Sequence, residues 1–394
     1  MNAAAMRAGI VVVSLLLVWR VLQVNMVAYD DAGRPRLPGS TDAALAIPDR
    51  TLLARVLRDN PGQVDALLFL AREHERAGDV RETRRAYQAA FDLAPMDREV
   101  LGSGSEFFLR QGATAEALAM LDRLVESYPD ARERAFPAIA RLLVERREAP
   151  EWARIAARKP AWMGAFLVSS CRHGVDPAHL VPLFLERAAQ GRASAEETGC
   201  IVDRLRDSDR WPQAYHVWLN TLPRERLAEV GNIFNGSFEF APSGVGFDWQ
   251  LTRARERDSG HVVETPQAAG AAGKRALRVS YNGKRQTGIP IAQYLALAPG
   301  KYEMTGLARP QSITAGRGVL WVLRCVKGGK PGAPLASSER FIGSSEWRRF
   351  AFDVAVPADC PGQLLQLEIV GASEGAAYLT GSAWFDDLVL RRRA

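Results

Sequence analysis

Few residues in this 394-residue chain have the types and spacing that chemistry needs. The five histidines, His74, His173, His179, His216 and His261, form no HExxH pair, and only His173 and His179 lie close, six apart around Gly174 and Pro177. "GSGS" at Gly102 has no Lys after it, so it is no phosphate-cradling loop, and no G-x-S-x-G nucleophile turn occurs. Two carboxylates that could work on a glycosidic bond are compatible with the sequence, but most Asp and Glu fall in helical stretches. Lys and Arg exceed Asp and Glu by six, and Arg is scattered between apolar helical positions. A nucleic-acid binder would gather that charge on one face. The remaining chemical groups are Glu239, Asp386 and Asp387 near the ends of the C-terminal region, a set of aromatic rings, and four cysteines.

The cysteines bear on compartment. Cys171 and Cys200 lie in helical sequence, and Cys325 and Cys360 in the C-terminal region. An even pair in each part of an exported chain reads as disulfides Cys171–Cys200 and Cys325–Cys360; four buried thiols is the other reading. Export is suggested by "GIVVVSLLLVW", Gly9 to Trp19, which follows Arg7 and resumes after Arg20 as "VLQVNMVAY". Residues 1–29 are therefore expected to be an uncleaved signal anchor, a transmembrane helix with its N-terminus in the cytoplasm. A cleaved signal is the alternative. On the first reading the protein is single-pass in the inner membrane, with its bulk in the periplasm. Residues 30–50 form a polar linker.

Elements must position those groups, and a repeat comes first. Pro61, Pro95 and Pro129 are spaced by 34, as are Gly78 and Gly112. Leu67, Leu70 and Ala71 would line the inner face of one helix, Gly78 the turn, and Tyr87 and Ala90 the next helix. "ALLFLAREHERAGDVRETRRAYQAAFDLAP" resembles a tetratricopeptide repeat. The following unit departs from the frame at Gly104 and Ser105, and a degenerate unit with Ala214 and Trp218 as knobs precedes Pro223. The resemblance implies a helical solenoid over residues 51–224, with a groove for a protein partner.

After a short linker, 225–231, the period changes to alternation. "ALRVSYNG", "IAQYLAL", "YEMTGLARP", "VLWVLRCV", "RRFAFDVAVP", "LLQLEIVG" and "AWFDDLVLR" read as strands, with turns at Asn282-Gly283, Pro299-Gly300, Gly328-Gly329 and Pro361-Gly362. Eight to ten strands over residues 232–394 predict an antiparallel β-sandwich of jelly-roll type. The fold class is α then β. The opening "NGSFEF" and closing "WFDDLVL" resemble the galactose-binding-like domains of many carbohydrate-binding modules. That resemblance implies adjacent first and last strands. It also implies a structural calcium on Glu239 with Asp386 or Asp387, and sugar binding by aromatic rings.

Six rings are candidates: Trp249, Tyr281, Tyr294, Trp321, Trp347 and Trp384. Trp321 shares strand parity with Cys325 and is expected in the core; Trp384 is expected to be structural. Trp249 and Tyr281 are the preferred platforms, with Arg285 and Gln286 as hydrogen-bonding neighbours. Proteins of this build are similar to accessory components of exopolysaccharide production in Gram-negative bacteria. The expectation is a non-enzymatic tether whose repeat arm docks a protein and whose sandwich holds polysaccharide. A protein-binding scaffold and a polysaccharide-modifying enzyme stay open as alternatives.

Overall fold

The structure, a computed structural model, describes residues 28–29, 35–36, 57–58, 62–145, 150–251, 260–285, 289–314, 318–370 and 378–393. The expected anchor lies outside the described residues apart from Ala28–Tyr29, a two-residue strand paired with Pro35–Arg36. Among the described residues no helix is long and apolar enough to cross a membrane. The chain divides into two compact units, Met1–Ala131 and Arg132–Ala394.

The described residues of the first unit hold two helical hairpins, α1 (Val64–Arg76) with α2 (Val80–Leu93) and α3 (Arg98–Arg110) with α4 (Thr114–Ser127). Corresponding helices start 34 residues apart, the period read from the prolines. Gly78 (φ 75°) and Gly112 (φ 66°) turn each hairpin in the left-handed region that favours glycine. Asp79 and Asp97 cap α2 and α3 by accepting from backbone N–H groups. Ala71, Ala90, Leu101, Phe108 and Leu118 are fully buried between the helices. The departure at Gly104 has a packing reason: a Cβ there would run into Met120. Ion pairs such as Arg84–Glu116, at 2.6 Å, link one hairpin to the next. Exposed pairs of this kind add about 0–1 kcal/mol, so burial carries the stability.

The second unit begins with α5 (Arg132–Glu145), α6 (Pro150–Arg158), α7 (Met163–Arg172), α8 (Pro177–Ala189), α9 (Ala195–Asp207) and α10 (Trp211–Leu219). Here α6, α7 and α10 have only 9 to 10 residues, and the regular period is lost. Phe136, Trp162 and Phe166 form an edge-to-face cluster. The Cys171–Cys200 disulfide ties α7 to α9. Ala214 and Trp218, the expected knobs, are buried at 0% and 2% exposure.

Ten strands follow: β1 (Gln250–Leu251), β2 (His261–Glu264), β3 (Leu277–Arg285), β4 (Ile291–Leu295), β5 (Gly300–Gln311), β6 (Val319–Lys327), β7 (Lys330–Ser337), β8 (Arg348–Val356), β9 (Gly362–Ile369) and β10 (Tyr378–Arg392). They form two five-stranded antiparallel sheets, ordered β1-β4-β9-β6-β7 and β8-β5-β10-β3-β2. Alternate residues of both sheets meet in one core, where Trp249, Trp321, Phe385, Phe341 and Phe350 pack ring against ring. Gly328-Gly329, both at positive φ, make the two-residue hairpin between β6 and β7. The second expected disulfide, Cys325–Cys360, joins β6 to the loop before β9.

Three expectations change. Asn282-Gly283 is no turn, because β3 runs through it to Arg285. "NGSFEF" is no strand: Asn235 and Phe238 have φ of 50° and 55°. It still meets the closing strand, since Leu388 N donates to Gly236 O at 3.0 Å and Asn232 Nδ2 to Leu390 O at 2.9 Å. Finally, residues 225–231 do not separate two compact units. Fully buried Trp211 faces Phe247 and Tyr294, Trp218 faces Phe234 and Phe247, and Asp209 accepts from Gly328 N at 2.8 Å. A Cβ at Gly362 would run into the Trp211 ring, so glycine permits this close approach. Helix α10 is thus welded to the sandwich by apolar burial, and the loop before it by a hydrogen bond.

Candidate functional site: a groove on one sheet

Strand register builds the site. Tyr294, Leu364 and Arg324 share one rung across β4, β9 and β6, and Ala292, Gln366 and Val322 share another. With a period of two, these face away from Leu323, Leu365 and Leu367, which are fully buried in the core. A groove of about 870 Å³ runs over this face, from Gln250 on β1 to Pro331 beside β6.

Its floor carries one charged pair. Arg324 Nε donates to Glu368 Oε1 at 2.7 Å and Nη2 to Oε2 at 3.1 Å, while Nη1 reaches Gly332 O at 3.0 Å. Burial works to raise the Glu368 carboxyl, but hydrogen bonds from Arg324 and Gln366 and the Arg324 charge outweigh it and hold the group below its ordinary value. The pair is therefore ionised at neutral pH.

Gln366 is 4% exposed and donates from Nε2 to Glu368 Oε1 at 2.6 Å. An ionised carboxylate only accepts, so this contact assigns the amide nitrogen to the Glu368 side. Oε1 points elsewhere, buried and without a hydrogen-bond partner. An unmet buried acceptor costs about 1–3 kcal/mol.

Tyr294 walls one side. The Arg206 guanidinium lies 3.7 Å from its ring centroid, and Trp211 lies 6.0 Å away. Arg206 is itself held by Gly246 O at 2.9 Å and by Asp203. Glu368 is the one carboxylate among the described residues of the groove, and it is already paired. The described groove has fixed polar groups on its floor.

The preferred platforms lie elsewhere. Trp249 is fully buried, donates from Nε1 to Asn235 O at 2.9 Å and packs on Phe238. Tyr281 is 5% exposed, and burial pushes its hydroxyl well above the ordinary range. It follows Leu277 and Val279 on the core face of β3, because the strand continues where a turn was expected. Arg285 ends β3, and Gln286 lies outside the described residues.

The expected calcium ligands partly converge. Glu239 Oε1 accepts from Lys274 N at 2.7 Å and Arg275 N at 3.0 Å. Asp386 Oδ2 accepts from Ala272 N at 2.6 Å, and Oδ1 from Asp387 N at 2.7 Å. Asp387 has φ 49° where the β10 register shifts. N–H donors of the 272–275 turn thus face the two buried-end carboxylates, and among the described residues no group of three His, Cys, Asp or Glu comes together. Calcium prefers a cage of six to eight oxygens. The residues present do not fit it.

The groove residues were within reach of the sequence. In "LLQLEIVG", Gln366 and Glu368 share parity opposite Leu365 and Leu367, which marks a polar face on a strand.

The sequence matches no protein-family profile and no curated protein. Solved structures resemble the sandwich. One described as CBM4 is 16% identical, covering 41% of this chain and 99% of its own, with a TM-score of 0.31. The CBM22-1 xylan-binding domain from Paenibacillus barcinonensis is 16% identical, covering 40% and 94%, with a TM-score of 0.27. A family 16 carbohydrate-binding module is 17% identical, covering 41% and 99%, with a TM-score of 0.28. At this level of similarity, function has to be argued from the residues of the groove.

Proposed function

We propose that the sandwich holds a polysaccharide in the β4-β9-β6 groove. The observation that carries this is the buried, unpartnered Oε1 of Gln366, whose orientation Glu368 sets. On a shift of the Gln366 side chain toward the groove a sugar hydroxyl supplies the missing donor, and further hydroxyls can accept from or donate to the Arg324–Glu368 pair. The sandwich acts without turnover. The helical hairpins, tetratricopeptide-like in period, dock a protein of the synthesis or export machinery. The N-terminal segment anchors the chain in the inner membrane, with its bulk in the periplasm. Tethering then raises local glycan concentration without requiring tight single-site affinity.

The test is affinity electrophoresis of the full chain in detergent, through gels containing the host's envelope and secreted polysaccharides. Retardation that is lost in Gln366→Ala supports the reading. A folded wild-type protein that no glycan retards ends it. That outcome would favour a protein-binding scaffold, a reading supported by Tyr294, whose ring already carries Arg206.

A further inference from the structure

The second sheet, β8-β5-β10-β3-β2, carries charge and rings on its outer face. The parity that buries Ala308, Ala383 and Phe385 turns Arg309 and Gln311 of β5, and Ser382 and Trp384 of β10, outward. Arg309 lies 5.8 Å from the Trp384 ring centroid and 5.9 Å from that of Trp347. Such contacts use the charge of the guanidinium and none of its N–H donors. Among the described residues Arg309 makes no ion pair and no hydrogen bond. Asp386, two residues along β10 from Trp384, is already taken by the backbone N–H groups of Ala272 and Asp387. Arg278, which lies 5.2 Å from the same Trp384 ring, pairs with Glu264 at 3.1 Å. Arg309 is thus the cation of this row without a counter-charge among the described residues.

Donors are in excess around it. Trp384 Nε1 donates to Gln311 Oε1 at 2.8 Å, and Ser382 Oγ donates to it at 3.3 Å. An indole N–H only donates, so the amide oxygen faces Trp384. Gln311 Nε2 is left without a partner among the described residues. Register sets Gln311 beside Ser382, and Ser382 beside Ser280. Ser280 Oγ and Arg278 Nε are buried and also unpartnered. The face therefore suits a group that is negative and accepts without donating. A carboxylate is both, and its two oxygens match the guanidinium fork. The strands that carry these residues, β5, β10 and β3, each have a strand partner on both edges. No main chain there is open to an added peptide strand, so recognition falls to side-chain groups.

We infer that this face binds the carboxylate groups of an acidic polysaccharide, with Arg309 as the anion contact and Gln311 Nε2 beside it. The two indoles hold the guanidinium in place before the ligand arrives, which lowers the ordering cost of binding. When Trp384 is lost, Trp347 still holds it. The groove and this face then engage one kind of polymer by different chemistry. The choice of a glycan as bearer of the carboxylate rests on the glycan-holding reading above.

The experiment runs the full chain in detergent through gels holding the host's envelope and secreted polysaccharides. The glycans are either native or have their carboxyl groups reduced to alcohols. Reduction removes charge and keeps the sugar backbone. Wild type should bind a native glycan about tenfold more tightly than its reduced form, the size of one charge-assisted hydrogen bond. Arg309→Gln should remove that advantage. Arg391→Gln takes the same charge from an exposed position of the same sheet and should keep it. That control separates a built contact from the general attraction of a basic chain for an acidic polymer. Equal binding of native and reduced glycan overturns the inference while the groove stands. An advantage that survives Arg309→Gln overturns it too. Binding of neither form overturns the groove and the inference together. An advantage that Arg309→Gln abolishes, with binding that Gln366→Ala leaves unchanged, sustains the inference and ends the groove reading.

Discussion

The two outer faces of the sandwich differ in how their hydrogen-bonding and stacking capacity is used. On the far sheet, register aligns Glu264, Arg278, Trp384 and Arg309 across β2, β3, β10 and β5. Arg278 lies 5.2 Å from the Trp384 ring centroid, and Arg309 lies 5.8 Å from Trp384 and 5.9 Å from Trp347. Trp384 Nε1 donates to Gln311 at 2.8 Å and Trp347 Nε1 to Ala269 O at 3.1 Å. These indoles are half-buried, stacked and satisfied. Among its described residues the groove face has one ring, Tyr294, and a buried acceptor left without a donor. Buried polar atoms without a partner occur on both sheets, Gln366 Oε1 on the groove face and Arg278 Nε and Ser280 Oγ on β3 of the far sheet, so the faces differ in how their rings are used.

The sharpest way to break this comparison is to exchange the two faces' roles. Gln366→Ala should lower glycan retardation about tenfold, the size of one lost buried hydrogen bond, while Trp384→Ala leaves it within about twofold. The reverse order would move the site to the far sheet. In chemical denaturation, Trp384→Ala should cost about 2 kcal/mol, through lost packing and two lost cation–π contacts. Arg309→Ala should cost about 0.5–1 kcal/mol.

Acid unfolding separates the faces by sign. Glu368 has a folded pKa below its ordinary 4.5, so its stabilising contribution is present above that value and fades as pH falls through the folded pKa. The difference between wild type and Glu368→Gln should shrink from about 1 kcal/mol at pH 7, discounted for solvent screening, toward zero as pH falls through that lowered value. Asp386, behind the far sheet, is raised above 3.8 because burial outweighs the amide donors. Acidification through that raised value should therefore favour the fold at Asp386, and NMR titration of its carboxyl gives the direction.

The smallest expected effect concerns metal. Amide groups already satisfy Glu239 and Asp386. Thermal unfolding in calcium and in EDTA should agree within about 1 °C, against the 2–4 °C that 1 kcal/mol produces in a domain of 150–250 residues. A larger stabilisation by calcium would show that these carboxylates turn toward an ion.

Much of the fold was legible because it is local. A 34-residue spacing of Pro and Gly sets hairpin length, and the hairpins of the first unit keep it. Alternation located the strands, and two cysteines in each region found each other. The site was less legible. Parity shows which side chains share a face, but Trp249 and Tyr281 could be assigned outward only by assuming loops around them. Asn282-Gly283 carries a turn signal, yet β10 pairs beside it through Thr380 and Gly381, and the strand continues. Gln366 and Glu368 had the right pattern, but their importance depends on Arg324, 42 and 44 residues earlier, arriving on the neighbouring strand.

By itself the sequence determined the change from helical to strand period, the hairpin repeat and the parity of each strand, since these depend on neighbours a few residues apart. Tertiary structure decided which face of each sheet is core and which rings are already stacked. It also decided that α10 welds to the sandwich beside the groove. Those outcomes are set by burial between segments distant in the chain, as when Gly362 admits Trp211 and Tyr294 comes to lie under Arg206.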